Sequence, residues 1–168
     1  AIFYYSHSAK LNDPKAQNDL GVFLIEGKDI EKDIKSGLEY LHLSANQNWP
    51  QAQHNIGYIY FEGKYVPKDI DKSIYYFTLA AKQKHPNAQF DLGNIYYNGM
   101  GVPRDTSRGI QYFSLAANEN NFVHSQYILG IIYYKGEFVS QDFKKSIYYF
   151  KLAANQNHSS AQNYLGII

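Results

Sequence analysis

The sequence contains no cysteine, which excludes disulfide bonds and thiolate chemistry and fits a reducing compartment. It also lacks any run near the roughly 18 apolar residues that a membrane-spanning helix needs, so we expect no membrane insertion. The formal net charge is only +1 over 168 residues, so long-range attraction to nucleic acid or anionic lipid is weak. No signal peptide is visible within the sequence, which begins with Ala1 and not with methionine. We expect a cytoplasmic protein, represented here by a fragment that lacks its native N-terminus.

Catalytic signatures are missing as well. The sequence has no nucleophile elbow, no P-loop, and no dinucleotide-binding glycine motif that follows a suitable strand. Among the six histidines, His85 and His158 share one repeat position and His54 lies on a helix. Equivalent residues of stacked repeats lie about 10 Å apart, too far to share a metal ion. We therefore expect no catalytic residue, no metal and no cofactor, and we predict that the chain is not an enzyme.

What the chain does contain is a repeat of about 36 residues. The segment Ala52 to Asn87 has copies on both sides, and the third copy carries one extra residue. Self-similarity with a period of 20–50 residues is typical of a solenoid. The predicted domain is one solenoid over 1–168, with a partial repeat at each end, 1–15 (helix B) and 161–168 (helix A), and full repeats at 16–51, 52–87, 88–124 and 125–160.

Single residue types recur at fixed positions of the repeat. One glycine column is Gly21, Gly57, Gly93, Gly130 and Gly166. A glutamine column is Gln17, Gln53, Gln89, Gln126 and Gln162. A tyrosine column is Tyr4, Tyr40, Tyr76, Tyr112 and Tyr149, and an aspartate column is Asp33, Asp69, Asp105 and Asp142. Such columns indicate a scaffold that every repeat shares.

Each repeat reads as two helices, A and B. In the second repeat helix A begins near Pro50, since proline suits a first helical position, and it ends at Gly63, which can adopt the left-handed conformation. Asp69 is a good N-cap for helix B because its carboxylate accepts from free backbone N–H groups. The glycine that follows Ile56 and the Ala80–Ala81 pair have little or no side chain. We expect neighbouring helix backbones to approach closely at these positions.

The ends of the chain carry apolar residues without an obvious partner. Ile2 and Tyr5 lie in the N-terminal partial repeat, and Leu165 and Ile167 lie in the C-terminal one. A solenoid needs polar terminal repeats for solubility. We therefore expect either a natural chain that continues in both directions or head-to-tail self-association through the open ends.

The residue types that recur from repeat to repeat form a pattern that resembles the Sel1-like repeat, a relative of the tetratricopeptide repeat. The third repeat matches that pattern best, at Ala88, Leu92, Gly93, Tyr96, Gly99, Gly101, Val102, Asp105, Tyr112, Ala116 and Ala117. The resemblance covers essentially the whole chain. The first repeat departs from it at Leu24 and at 30–32, and the fourth departs at Ser125 and Ser140.

The resemblance implies an all-α fold: a right-handed α/α superhelix, or solenoid, of antiparallel helix pairs whose A helices line the concave face. It also implies a non-catalytic scaffold or adaptor that binds a protein or peptide partner. One alternative is a regulatory repeat region of a larger signalling protein, such as a protein kinase, that acts in cis. A less favoured alternative is a hydrolase similar to β-lactamases. The family members linked to that activity are disulfide-rich, whereas this chain has no cysteine.

A second stripe on helix A varies between repeats while the scaffold positions stay constant. We expect it to point away from its own helix B and to form a concave groove for a peptide or protein segment. The alternative is packing between adjacent A helices. The candidate groove residues are His54, Tyr58, Phe61, Glu62, Phe90, Asn94, Tyr97, Asn98, Tyr127, Ile131, Tyr134 and Lys135.

Basic residues also form columns, which raises the question of nucleic-acid binding. One column is Lys32, Lys68 and Arg104, and another is Lys72, Arg108 and Lys145. Both columns run beside the aspartate column, and the net charge is close to zero. We therefore expect a salt-bridged edge and no nucleic-acid partner.

Overall fold

The computed structural model describes residues 2–27 and 30–168, and side chains except those of residues 2–4. Ala1, the first residue of the predicted partial repeat, and the side chain of Tyr4, the first member of the tyrosine column, lie outside the described residues. The described residues form ten α-helices and no strand. The helices are α1 (Ile2–Lys10), α2 (Pro14–Glu26), α3 (Ile34–Asn46), α4 (Pro50–Glu62), α5 (Ile70–Lys82), α6 (Pro86–Asn98), α7 (Thr106–Glu119), α8 (Val123–Lys135), α9 (Phe143–Ala154) and α10 (Ser159–Ile167).

The chain divides into two compact units. The N-terminal unit is Ala1–His85 and holds α1 to α5, and the C-terminal unit is Pro86–Ile168 and holds α6 to α10. Within each unit every helix packs against the next one in the chain. Helices A are α2, α4, α6, α8 and α10, and each of the first four packs against its own helix B.

Local sequence signals set the ends of helix A as expected. Proline occupies the first turn of α4, at Pro50, and α4 ends at Gly63 with φ 71° in the left-handed region. The N–H of Gly63 then donates to the carbonyl oxygen of Ile59. This cap satisfies a carbonyl that the helix itself leaves open. The predicted start and end of helix A are confirmed in this repeat.

The aspartate column caps helix B in all four full repeats. In each case the carboxylate accepts from the backbone N–H three residues further along the chain, at 2.9–3.0 Å. Hydrogen bonds from Ser36 lower the pKa of Asp33, and those from Lys72 lower the pKa of Asp69, because they stabilise the charged carboxylate. The capping role predicted for Asp33, Asp69, Asp105 and Asp142 is confirmed.

The glycine column makes room for an aromatic ring, which corrects our expectation that it serves backbone approach. A β-carbon at Gly93 would lie 2.5 Å from Cδ1 of Phe113, and one at Gly130 would lie 2.6 Å from Cδ1 of Phe150. These phenylalanines project from helix B and are fully buried. Two column glycines differ: Gly21 has the backbone oxygen of Gly37, at 2.8 Å, and the Leu41 side chain as neighbours, and a β-carbon at Gly166 would have no atom within 4 Å. Backbone approach therefore applies only to the first repeat of this column.

The glutamine column holds successive turns together, a role that the sequence pattern did not reveal. Buried Gln53 donates to the carbonyl oxygen of Ala45 at 3.3 Å, and its own side-chain oxygen accepts from Gln83 at 2.8 Å. Gln126 repeats this pattern in the C-terminal unit, with Ala117 and Gln156 at 3.3 and 2.8 Å. Gln53 and Gln126 therefore each link the end of the preceding helix B to the end of the following one.

Candidate functional site

The predicted groove residues of the N-terminal unit lie on α4. Tyr58 is 50% exposed. Glu62 is exposed as well, whereas His54 and Phe61 are partly buried. On α2 the equivalent stripe positions are 18, 22, 25 and 26. Asn18 and Ile25 are each only 4% exposed, and Ile25 belongs to the core, whereas Glu26 is exposed. The exposed part of the stripe is therefore narrower than the sequence predicts.

A cleft opens between α2 and α4, and we call it the α2–α4 cleft. Its cavity has a volume of about 330 Å³ and an apolar base that includes Val22, Leu41 and Ile59. Charged and aromatic residues complete the lining: Glu26, Tyr58, Glu62, Lys64 and Tyr65. Tyr58 and Glu62 are residues that the sequence placed in the groove. Tyr65 was not predicted, because it belongs to the loop after α4 and not to the helical stripe.

A second cavity adjoins this cleft and shares Val22 and Asn55 with it. Side-chain amides connect its walls: Asn55 donates to Asn18 at 2.9 Å, and Gln51 donates to Asn55 at 3.1 Å. Asn18 in turn donates to Asp19 at 2.9 Å. This chain of hydrogen bonds fixes the polar side chains that lie along α2 and α4.

In the C-terminal unit the predicted groove residues lie on α6 and α8. Four are partly buried aromatics on α6 or α8 that contact a phenylalanine of their own helix B. The ring centroids of Phe90 and Tyr97 lie 5.7 and 5.9 Å from that of Phe113. The centroid of Tyr127 lies 6.0 Å from that of Phe150, and the centroid of Tyr134 lies 5.9 Å from that of Phe143. The other residues of this set are Asn94, Asn98, Ile131 and Lys135, of which Asn98 and Lys135 are exposed.

These contacts correct the expectation that the stripe points away from its own helix B. The same relationship holds in the N-terminal unit, where the His54 ring lies 5.4 Å from that of Phe77. The physical reason is the glycine column, because the missing side chain leaves room for the phenylalanine ring against helix A, where the ring also contacts residues of the stripe. The stripe therefore contributes to packing within each repeat as well as to the surface.

The basic columns lie over aromatic rings. The Lys68 ammonium is 5.0 Å from the Phe61 centroid, and the Arg104 guanidinium is 4.3 Å from the Phe138 centroid. The second column combines ion pairs and rings, since Lys72 lies 3.1 Å from Asp69 and 5.1 Å from the centroid of Tyr60. In this column Lys72 and Lys145 form the expected ion pairs with the aspartate column, whereas Arg108 lies over the Tyr96 ring at 3.9 Å. Cation–π contacts are the feature that the sequence analysis missed.

Histidines contribute to packing and hydrogen bonding. The His54 and His85 rings stack with centroids 4.8 Å apart, and His85 Nε2 lies 2.9 Å from the Gln51 side-chain oxygen. Nδ1 of His158 accepts from the backbone N–H of Ala161 at the start of α10. Among residues 2–27 and 30–168, no three His, Asp or Glu side chains come together as metal ligands would.

The fold and the repeating packing define a helical repeat protein of the solenoid class. The Sel1 repeat family model matches residues 14–49, 50–85, 86–121 and 123–158. The chain therefore belongs to the Sel1 repeat family, and the predicted family and all-α fold class are confirmed. Each matched segment begins two residues before the repeat boundaries that we drew from the sequence.

Solved structures support this assignment. A Sel1 repeat protein from Oxalobacter formigenes is 31% identical, with a TM-score of 0.91 over 99% of this chain and 68% of that one. A protective antigen with an SLR fold from uropathogenic Escherichia coli is 28% identical, with a TM-score of 0.92 over 99% of this chain and 36% of that one. The chain thus spans about two thirds of the first protein and about one third of the second.

More distant structures share the fold alone. Cysteine-rich protein B of Helicobacter pylori is 24% identical, with a TM-score of 0.61 over 82% of this chain and 96% of that one. Among curated proteins, none matches the chain significantly.

Family membership sets the broad function. Sel1 repeat proteins are generally scaffolds for protein interactions and are typically not enzymes. Within the part of the chain that the structure describes, no helix is both long and apolar enough to cross a lipid bilayer.

Proposed function

We propose that this chain is a non-catalytic scaffold that binds an extended peptide or protein segment along its A helices, with the α2–α4 cleft as the principal site. The observation that carries the proposal is the cleft itself. It is an open cavity of about 330 Å³ whose wall includes the half-exposed ring of Tyr58. Concave sites of about 300 Å³ or more, with an apolar lining and a few polar groups, are typical of ligand binding.

The chemistry of the cleft suits a side-chain anchor. Val22 and Ile59 offer apolar surface, and Tyr58 and Tyr65 offer rings that can contact both apolar and cationic groups. Tyrosine is enriched among the residues that dominate binding energy at protein interfaces. Glu26 and Glu62 can supply the polar contacts that fix the orientation of a bound segment.

The position of the cleft on the repeat supports the same function. Tyr58 and Glu62 belong to the stripe that differs between repeats, whereas the scaffold columns stay constant. Repeat proteins bind extended ligands along the surface that their A helices form. Variation confined to one face of a constant scaffold is what selection of a specific partner would produce.

The proposal is tested by selecting binders from a displayed library of random 12-residue peptides. Selection uses the intact chain, and affinities of the selected peptides are compared for Y58A and Y75A. Tyr75 is a matched control, because it is 59% exposed but lies on α5, away from the cleft. We expect Y58A to weaken binding at least tenfold, the scale of a hot-spot tyrosine, and Y75A to leave it unchanged. Equal behaviour of the two variants, or no binder at all, contradicts the proposal.

A further inference from the structure

We infer that the α2–α4 cleft accepts a basic side chain, arginine above all, from the segment that it binds. This inference rests on the proposed function and names the chemistry of the partner at that site. It follows from the charges at the rim of the cleft, from the aromatic rings beside them and from the size of the cavity.

Carboxylates stand on both helices that form the cleft. Glu26 is the last residue of α2, Glu62 is the last residue of α4, and both are exposed and line the same cavity. Among the described residues, neither carboxylate forms an ion pair with a basic side chain. Two exposed carboxylates at the rim of one cavity favour a cationic group between them, since each can accept hydrogen bonds from it.

The charge of the whole cleft has the same sign. Among the described residues, the α2–α4 cleft and the adjoining cavity are together lined by three carboxylates, those of Asp19, Glu26 and Glu62, and by one basic residue, Lys64. The ammonium groups of Lys64 and Lys32 lie 5.2 and 5.3 Å from the Tyr65 centroid. With Lys32 included, these described residues have a net charge of −1, although the chain as a whole has +1. A locally acidic cleft attracts cationic partners at short range.

Aromatic and aliphatic groups complete a site for a long basic side chain. Val22 and Ile59 can pack against its methylene stem, and the half-exposed ring of Tyr58 lies in the same lining. The Tyr65 ring also lines the cleft, but the ammonium groups of Lys32 and Lys64 already lie over it. Guanidinium groups stack on aromatic faces and bind carboxylates through two parallel hydrogen bonds, which an ammonium group does less well. The cavity volume of about 330 Å³ lies at the lower end of the range for ligand sites, which suits a single long side chain.

The C-terminal unit differs at the equivalent positions. Where α2 and α4 end in glutamate, α6 ends in Asn98 and α8 ends in Lys135. The Lys135 ammonium lies 3.5 Å from the Glu137 carboxylate. The acidic rim is thus a property of the N-terminal unit and is not imposed by the scaffold, which separates it from the structural columns.

The inference is tested with the peptides selected by the intact chain. Each residue of a selected peptide is replaced by arginine, lysine, citrulline and glutamate in turn, and affinity is measured by fluorescence anisotropy. Citrulline keeps the shape of arginine but removes its charge. The protein variants are E26Q/E62Q and the matched control E31Q/E39Q, which removes two exposed carboxylates of the same unit that do not line the cleft.

We expect one peptide position to prefer arginine, with about a tenfold loss for citrulline and a larger loss for glutamate. E26Q/E62Q should weaken the arginine peptide about tenfold and abolish its advantage over the citrulline peptide, whereas E31Q/E39Q should do neither. Raising the salt concentration should reduce the arginine advantage as well.

Two other outcomes are distinguishable. If peptides depend on Tyr58 but show no preference for a basic residue, or if E26Q/E62Q behaves like its control, the inference is overturned and the proposed function stands. If no peptide depends on Tyr58, both the inference and the proposed function are overturned.

Discussion

The ring of Phe77 occupies the space that a side chain at Gly57 would need: a β-carbon there would lie 2.6 Å from the Cδ1 atom of Phe77. Phe77 is 1% exposed and packs from α5 against α4. The same pair recurs in the C-terminal unit as Gly93 with Phe113. A glycine and a phenylalanine on separate helices thus form one packing element of the repeat.

Replacing Gly57 by alanine should destabilise the protein. The added methyl group has to displace a fully buried ring, and overpacking of this kind costs about 1–3 kcal/mol. Gly166 provides a control in the same glycine column, because a β-carbon there has no atom within 4 Å. We expect G166A to be neutral or stabilising by up to about 1 kcal/mol, as alanine is the better helix former. Urea denaturation measures the free energy of unfolding of both variants. Equal changes in that free energy for G57A and G166A would refute this packing role.

Replacing Gln53 by leucine tests the glutamine links between turns. The change removes the hydrogen bond from Gln53 to the buried Ala45 carbonyl and the acceptor for Gln83, so we expect a loss of about 1–3 kcal/mol. Gln162 occupies the same column, but its side chain is exposed and its bond to Ala154 is long, at 3.4 Å. Q162L should therefore change stability by about 0.5 kcal/mol or less. A comparable loss in both variants would show that the column is not held by these bonds.

The aspartate helix caps should make the stability of the protein depend on pH in the acidic range. Hydrogen bonds lower the pKa of Asp33 and Asp69 below the reference value of 3.8, so their contribution is fully present above that pH. It is lost as the pH falls through the lower pKa of the folded state, where protonation removes the charged cap. The double variant D33N/D69N keeps a capping side chain but should lose less stability below about pH 4. The measurement is the urea midpoint of unfolding in this pH range for the unchanged protein, for D33N/D69N and for E39Q as the charge control. A parallel fall of all three midpoints with decreasing pH would contradict this role of the caps.

Much of the fold could be predicted because its signals are local. Pro50 and Gly63 mark helix ends through their own backbone preferences and Asp69 does so through its capping carboxylate, and the structure confirms all three. A 36-residue period then places these helices in a repeating stack. Nothing beyond the chemistry of single residues and the spacing between copies was needed.

Contacts between turns could not be predicted in the same way. The Gln53–Gln83 bond joins residues 30 positions apart, and a constant column does not reveal which atom its side chain meets. The stripe was assigned to one face by helical spacing alone. That spacing could not show that the Phe113 ring, which packs against Gly93, also contacts the rings of Phe90 and Tyr97. Tyr65 was missed in the cleft because it lies on a loop, where no periodicity applies.

Methyl NMR of the intact chain with a selected peptide tests the binding site most directly. Val22 and Ile59 report on the α2–α4 cleft, and Leu43, 49% exposed on α3, reports on a surface outside it. The account predicts that the Val22 and Ile59 methyl signals shift on titration and that the Leu43 signal does not. Shifts confined to Leu43, or to other methyl groups outside the cleft, would contradict it.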